Sequence, residues 1–487
     1  ALRAARERQR VLAGHLLRRL GFGPTRREMH DVLHRGTAAY VEQQLYPDQI
    51  DDRVGERRFH PPPVPGDDGL VLQLRWLTRM ASSRRQLQEK MTLLWHEHFA
   101  TSLGKVGAYT LMRDQEQLFR SLALGRFRDL LVAVTRDNAM LIYLDNSYNN
   151  GRATDDEGNR IPPNENYARE LLQLFALGVH RLHMDGTLVL DGQGKPLPAY
   201  TEADVKEVAR ALTGWYASYP DDTDEEDPTQ VIAPATYDPY LHDPGEKIVL
   251  GALIAADEES GAADVERVVD ILTQQPSMAP FIAKELILKL ATESPTPGYV
   301  ERVATVFAAT DGDLRATLRA LFNDAEFFSS AAVRTQYKTP IEHVVGMARG
   351  LDARGRGQTL YYWTLLAGQL VYYPPSVFSF YRPGQKGALV NAAYAVVRDQ
   401  AADMLASSYV DEDFFDTAWD SAGMVRRHRL YRQPAKAVDL LARDLLAAPL
   451  SAPVRQVVLD FIGPQVTAEK LRGAAWLILC SPDFQVN

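Results

Sequence analysis

A handful of residues carry groups that could do chemistry. His96 and His98 flank Glu97 in Trp95-His96-Glu97-His98-Phe99, and Glu165, Arg169 and Glu170 fall in Asn164-Glu165-Asn166-Tyr167-Ala168-Arg169-Glu170. Glu207 and Arg210 sit one helical turn apart, and His242-Asp243 ends an aromatic, proline-rich connection. Two carboxylates near an arginine can be split in pKa, one held charged by the guanidinium and the other raised by burial, supplying a base and an acid for hydrolysis or elimination. On that reading His96, His98, Glu165, Arg169, Glu170 and Glu207 are the catalytic candidates. Imidazole and carboxylate could instead hold a divalent metal, Zn2+, Mn2+ or Fe2+, that activates water, with His98, Glu165, Glu170, His242 and Asp243 as candidate ligands. A haem-peroxidase-like oxidoreductase needs an axial histidine and a distal His-Arg pair, and no spacing here singles that out. The competing class is not an enzyme. A buried Glu, Arg and His network can lock helices in register without catalysis, in a binding or assembly partner.

Several catalytic signatures are absent: no Gly-x-x-x-x-Gly-Lys-Ser/Thr loop, no Gly-x-Ser-x-Gly elbow and no His-Glu-x-x-His helix. At about 100° per residue, His96 and His98 do not face each other, so they cannot chelate one metal from a regular helix. His98 shares an arc with Leu87, Met91, Leu94 and Trp95, which predicts a buried imidazole satisfied by a hydrogen bond; His96 points opposite Leu87 and Glu97 to a third side.

The elements that position these groups are legible in outline. Asn164 after two prolines and Gly178 bracket a helix over 165–177 with Ala168, Leu171, Leu172 and Phe175 as its apolar stripe. Its bland reading is a half-buried helix with a Glu165–Arg169 pair worth about 0.2–0.5 kcal/mol. Thr201 with Asp204 starts a second helix with Val205, Val208, Ala209 and Leu212 inward, and Gly214 ends it. Between them the alternation around Thr187 to Val189 predicts a small β-hairpin. The oxygen-rich loop 145–161 lacks the EF-hand register, because Ala153 stands where the first carboxylate is needed.

Elsewhere amphipathic stripes recur from 11–20 to 341–350, so the fold class is mainly α: a large multi-helix domain with a minor β-hairpin and long irregular loops at 145–161, 216–248 and 368–387. Residues 1–487 read as one unit, with N-terminal helices in 1–60, a Pro-rich linker at 61–68, a motif-bearing core with hairpin and acidic loop in 69–260, and C-terminal helices in 261–487. The stretch ending at Asp483-Phe484 echoes the one ending at Glu326-Phe327, as though each helix closed with an acid-Phe plug.

Of 487 residues 46% are hydrophobic and 24% charged, which supports a large core. A net charge of −9 argues against a general nucleic-acid binder. The single cysteine, Cys480, can form neither an internal disulfide nor a cysteine-based zinc site. No apolar run reaches the ~18–20 residues of a membrane span, so no transmembrane segment is expected. A start at Ala1 without methionine fits a removed leader or a removed tag equally.

The chain resembles the bacterial domain of unknown function 1800 family. The resemblance rests on His15-Leu16-Leu17-Arg18-Arg19 with Gly21-Phe22-Gly23-Pro24, on Trp95 to Ser102, on Asn164 to Leu171 with Leu177-Gly178, on Tyr200 to Val205 through Ala211-Leu212-Thr213-Gly214-Trp215, and on His242-Asp243 with Lys247 and Leu250-Gly251. It implies one mostly helical unit and an exported protein, periplasmic or extracellular, with a protein partner of phosphatase- or sulfatase-like fold encoded beside it. It implies no settled activity. The two functional expectations are therefore a His/Glu/Arg cleft doing acid-base or metal-assisted hydrolysis, and a non-catalytic binding or assembly partner. The loop near 368–387 departs from the family pattern: Ser379-Phe380-Tyr381-Arg382-Pro383-Gly384 replaces its Gly-Trp-Pro element, which implies a different substrate if that loop shapes a site.

Overall fold

The helix Gln86–Phe99 is buried along its whole length except at Gln88. A helix hydrophobic all round belongs in a core, yet this one also carries Glu89, Lys90, His96, Glu97 and His98, whose polar groups must find partners inside the protein. The computed structural model describes residues 2–57, 68–220, 230–257, 261–381, 385, 391–411 and 415–487. Among them the fold is mainly α, with 24 helices and two small two-stranded sheets. One hydrophobic cluster runs from Ala13 to Phe484 and includes Trp76, Trp95, Phe99, Phe127 and Phe175. None of these helices is long and apolar enough to cross a membrane.

The first motif helix differs from the expected single α-helix over 165–177. Asn164 Oδ1 does accept the Asn166 N–H at 2.9 Å, and Gly178 closes the element at φ 78°. The α-helix, however, spans only Asn166–Glu170 and continues as a π-helix, Leu171–Ala176, in which Leu177 N–H reaches back five residues to the Leu172 carbonyl at 3.1 Å. The second motif helix follows its local code. Thr201 and Asp204 form a reciprocal capping box at the head of Glu202–Ala211. It ends before Gly214, which turns at φ 92° into the strand Trp215–Tyr216 where an added Cβ would lie 2.9 Å from the Tyr237 ring.

The hairpin expected at Thr187 to Val189 is part of a three-sided arrangement instead. Val189 N–H donates to the Arg181 carbonyl, Leu197 N–H to Val189 and Arg181 N–H to Leu197, at 2.9, 2.9 and 2.8 Å, so three extended segments close in a ring of isolated bridges. The alternation around Thr187 to Val189 marked the middle one; the other two, around Arg181 and Leu197, flank it. A true two-residue hairpin begins at Lys247, at the very end of the 216–248 span expected to be irregular. Lys247–Val249 pairs antiparallel with Ala252–Ile254 across Leu250 and Gly251, at φ 49° and 81°, as a type I′ turn demands. The Pro-rich linker at 61–68 is described only at residue 68, and the acidic run from Asp221 to Asp227 and the Arg382-Pro383-Gly384 element lie outside the described residues.

The echo between the two helix ends is a repeated packing device. Phe327 and Phe484 are both buried. The Phe327 ring lies 4.7 Å from the His15 ring, and the Phe484 ring 5.2 Å from that of His343.

Candidate functional site

The three polar residues of His96-Glu97-His98 leave the central helix in three directions. His98 Nε2 donates to the Phe175 carbonyl at 3.1 Å, an acceptor in the last turn of its π-helix with no onward helical partner. Its ring sits among Trp95, Phe99 and Phe127. His96 Nε2 accepts the Tyr372 N–H at 3.1 Å, with Trp76 edge-on at 5.3 Å. Burial lowers the pKa of each imidazole to about 4, so both are neutral at neutral pH.

Glu97 enters a buried charged cluster. Its carboxylate accepts from Lys289 Nζ at 2.7 Å, Gln369 Nε2 at 2.8 Å and the Tyr381 hydroxyl at 3.1 Å. Beside it Lys90 is hydrogen-bonded to Glu342, whose carboxylate also takes the Thr339 N–H and Asn487 Nδ2, each at 2.9 Å. Arg19 caps the next helix end through the Lys289 and Leu290 carbonyls, at 2.9 and 3.0 Å. Burial lowers the Lys90 pKa, and burial together with Glu97 raises the Tyr381 phenol. Lys90, Glu97, Lys289, Glu342, Thr339 and Tyr381 surround a cavity of about 20 Å³, room for one water. Sequence reasoning gave Glu97 no role. Glu97 stands between two histidines on a helix whose apolar stripe faces elsewhere, and the cation that meets it, Lys289, lies far along the chain.

The remaining candidates form two separate networks. Arg169 bridges Glu165 at 3.0 Å and Glu202 at 2.8 Å on the surface. Burial raises the Glu170 pKa while Arg169 opposes it. Further along, Arg210 joins Glu207 at 2.9 Å to Asp243 at 2.8 Å, and Arg160 reaches Asp243 at 3.3 Å. Burial works against the Asp243 charge, but Arg210 holds its carboxyl below the usual range. His242 Nδ1 donates to the Thr213 carbonyl at 3.0 Å, leaving Nε2 to accept from Lys247 Nζ at 3.4 Å. Lys247 and Arg267 hold Asp264 at 2.8 and 2.7 Å.

The structure therefore joins Glu165 to Arg169, and Glu207 to Asp243, but brings His96 and His98 to neither network. No hydrogen bond or ion pair among the described residues links His242 to Glu165, Arg169 or Glu170, the cleft expected of them; its ring nitrogens face Thr213, Lys247 and Asp264. His98, Glu165, Glu170, His242 and Asp243, the expected ligands, form no metal-holding group among the described residues. Among the described residues no three His, Cys, Asp or Glu side chains are grouped to hold an ion.

One stability prediction follows from the surface network. Replacing Glu165 by Gln leaves Arg169 36% exposed and still paired with Glu202, so thermal melts should register a loss of only about 0–1 kcal/mol. A loss of several kcal/mol would show that this pair anchors the fold.

On another face two adjoining hollows, of about 410 and 680 Å³, share Arg26, Asp352 and Arg354 in their walls. These features define a mainly α-helical protein tied together by buried ion pairs, with an arginine-lined concavity. The family model described as Protein of unknown function (DUF1800) matches residues 15–486, and the chain belongs to that family. No curated protein and no solved structure matches it.

Proposed function

We propose that this protein is a non-catalytic binding or assembly partner rather than a hydrolase built on its His, Glu and Arg candidates. One observation carries the reading: the groups that could move a proton are held by the chain's own atoms. His98 serves the Phe175 carbonyl, His96 the Tyr372 amide, Glu97 is enclosed by Lys289, Gln369 and Tyr381, and Asp243 is clamped by Arg210. Such networks fix helices against one another and perturb pKa values without any catalysis. The hydrolase reading keeps one supporting feature, the water-sized cavity beside Glu97 and Tyr381.

The test is incubation of the purified protein with chromogenic phosphate, sulfate, carboxyl-ester and glycoside substrates, with and without divalent metals. The expected result is no turnover that depends on Glu97, Glu165 or Asp243. Turnover abolished by Glu97→Gln or Asp243→Asn, in variants that keep their helical content, overturns the reading in favour of a hydrolase.

A further inference from the structure

We infer that the arginine-lined concavity is a binding site for a small organic oxyanion, a molecule of metabolite size carrying a phosphate, sulfate or carboxylate group. The inference rests on the binding reading above and names its ligand class. Hollows of about 410 and 680 Å³ match the roughly 300–1,000 Å³ of small-molecule sites and exceed what a bare inorganic ion fills. Among the described residues their walls carry six arginines, Arg26, Arg27, Arg84, Arg349, Arg354 and Arg427, against four carboxylates, Glu28, Asp31, Asp352 and Asp420. That surplus is opposite in sign to the chain's net charge of −9, so it marks a local field.

The arginines are not all neutralised from within. Arg349 Nη2 donates to both Glu28 oxygens at 2.6 and 2.7 Å, Arg427 donates to Asp420 at 2.8 Å, and Arg26 turns to Asp444 at 2.7 Å. Arg27 and Arg354 make no ion pair among the described residues, and both are exposed. Arg354 is placed by its backbone: its N–H donates to the Ala418 carbonyl at 2.8 Å and its carbonyl accepts the Ala418 N–H at 3.0 Å, next to Trp419 in the same wall. Arg427 projects from the helix Ser421–His428, which Asp420 caps through the Gly423 N–H. An unpaired Arg354 guanidinium on a backbone held by Ala418, beside an Arg427 that Asp420 orients from the same hollow, suits the planar, two-point recognition of an oxyanion, which a lysine ammonium cannot supply.

Calorimetric titration of the full chain with glucose 6-phosphate, glucose 6-sulfate and glucuronate, with glucose as control, tests the site on a constant sugar body. At least one anionic probe is expected to bind, more weakly as salt is added, and glucose is not. The probe that binds identifies the group. Arg354→Ala should weaken binding roughly tenfold or more, Arg354→Ala with Arg427→Ala should abolish it, and Arg354→Lys should restore only part, because it keeps the charge and loses the fork. Melting temperatures report whether these exposed positions leave the fold intact. Absence of binding by all three anions, or binding unchanged in the double variant, overturns the site. Mass analysis of the bound probe separates this from the functional reading: an ester recovered cleaved overturns the non-catalytic function while supporting the oxyanion site.

Discussion

Acidification from pH 6.5 towards 4 is expected to remove much of this protein's stability, because its core histidines are built in neutral. Burial lowers His96 and His98 to about 4 and His15 to about 3, and it drives His343 well below the usual 6.5. In that window the unfolded chain binds protons that the native rings refuse. The stability these rings contribute is therefore fully present above the unfolded value of 6.5 and is lost as the pH falls through the folded values. Asp137 and Glu285 act in the opposite sense. Burial raises both to about 7, so their contribution grows as the pH falls below 7. The four deeply buried histidines carry the larger combined shift, so the net result over this window is a loss of stability. Denaturant titrations across this pH window check it. His98→Gln, whose amide can still donate to the Phe175 carbonyl, should flatten the dependence. Unfolding free energies that stay level across the window would rule out a neutral-histidine core.

Glu97→Gln is expected to be the most damaging single conservative change in the polar interior. It leaves Lys289, with its side chain 7% exposed, facing a neutral amide, and broken buried pairs typically cost about 3–5 kcal/mol. Replacing both partners, Glu97→Gln with Lys289→Met, should recover most of the loss, since an apolar group carries no uncompensated charge. Thermal or denaturant melts of the two single variants and the double variant give the coupling directly. A stable Glu97→Gln protein that had lost a measurable hydrolytic activity would instead make Glu97 a catalytic carboxylate. The contrast with Glu165→Gln is informative, since both changes remove one carboxylate oxygen beside a cation and differ mainly in whether water can take its place.

What this sequence determined by itself was local. The capping box of Thr201 and Asp204 joins groups three residues apart, and the 3.6-residue stripes that make the protein mainly α need only the chain's own periodicity. The different directions of His96, Glu97 and His98 followed from 100° per residue, and the two Phe plugs from a repeated pattern. The family was legible from motif order, and the matching model spans residues 15–486. Tertiary structure alone decided the partners. Lys289 meets Glu97 across 192 residues of chain, Tyr372 offers its amide to His96 across 276, and Ala418 fixes the backbone of Arg354. It also turned the second half of the first motif helix into a π-helix and added a third segment to the expected hairpin, placing the motif carboxylates in surface and second-helix networks rather than beside the histidines. The physical reason is that a helix's own hydrogen bonds and caps act over three to five residues. Which charge a buried carboxylate meets depends on how whole helices pack, and no spacing along one chain records that.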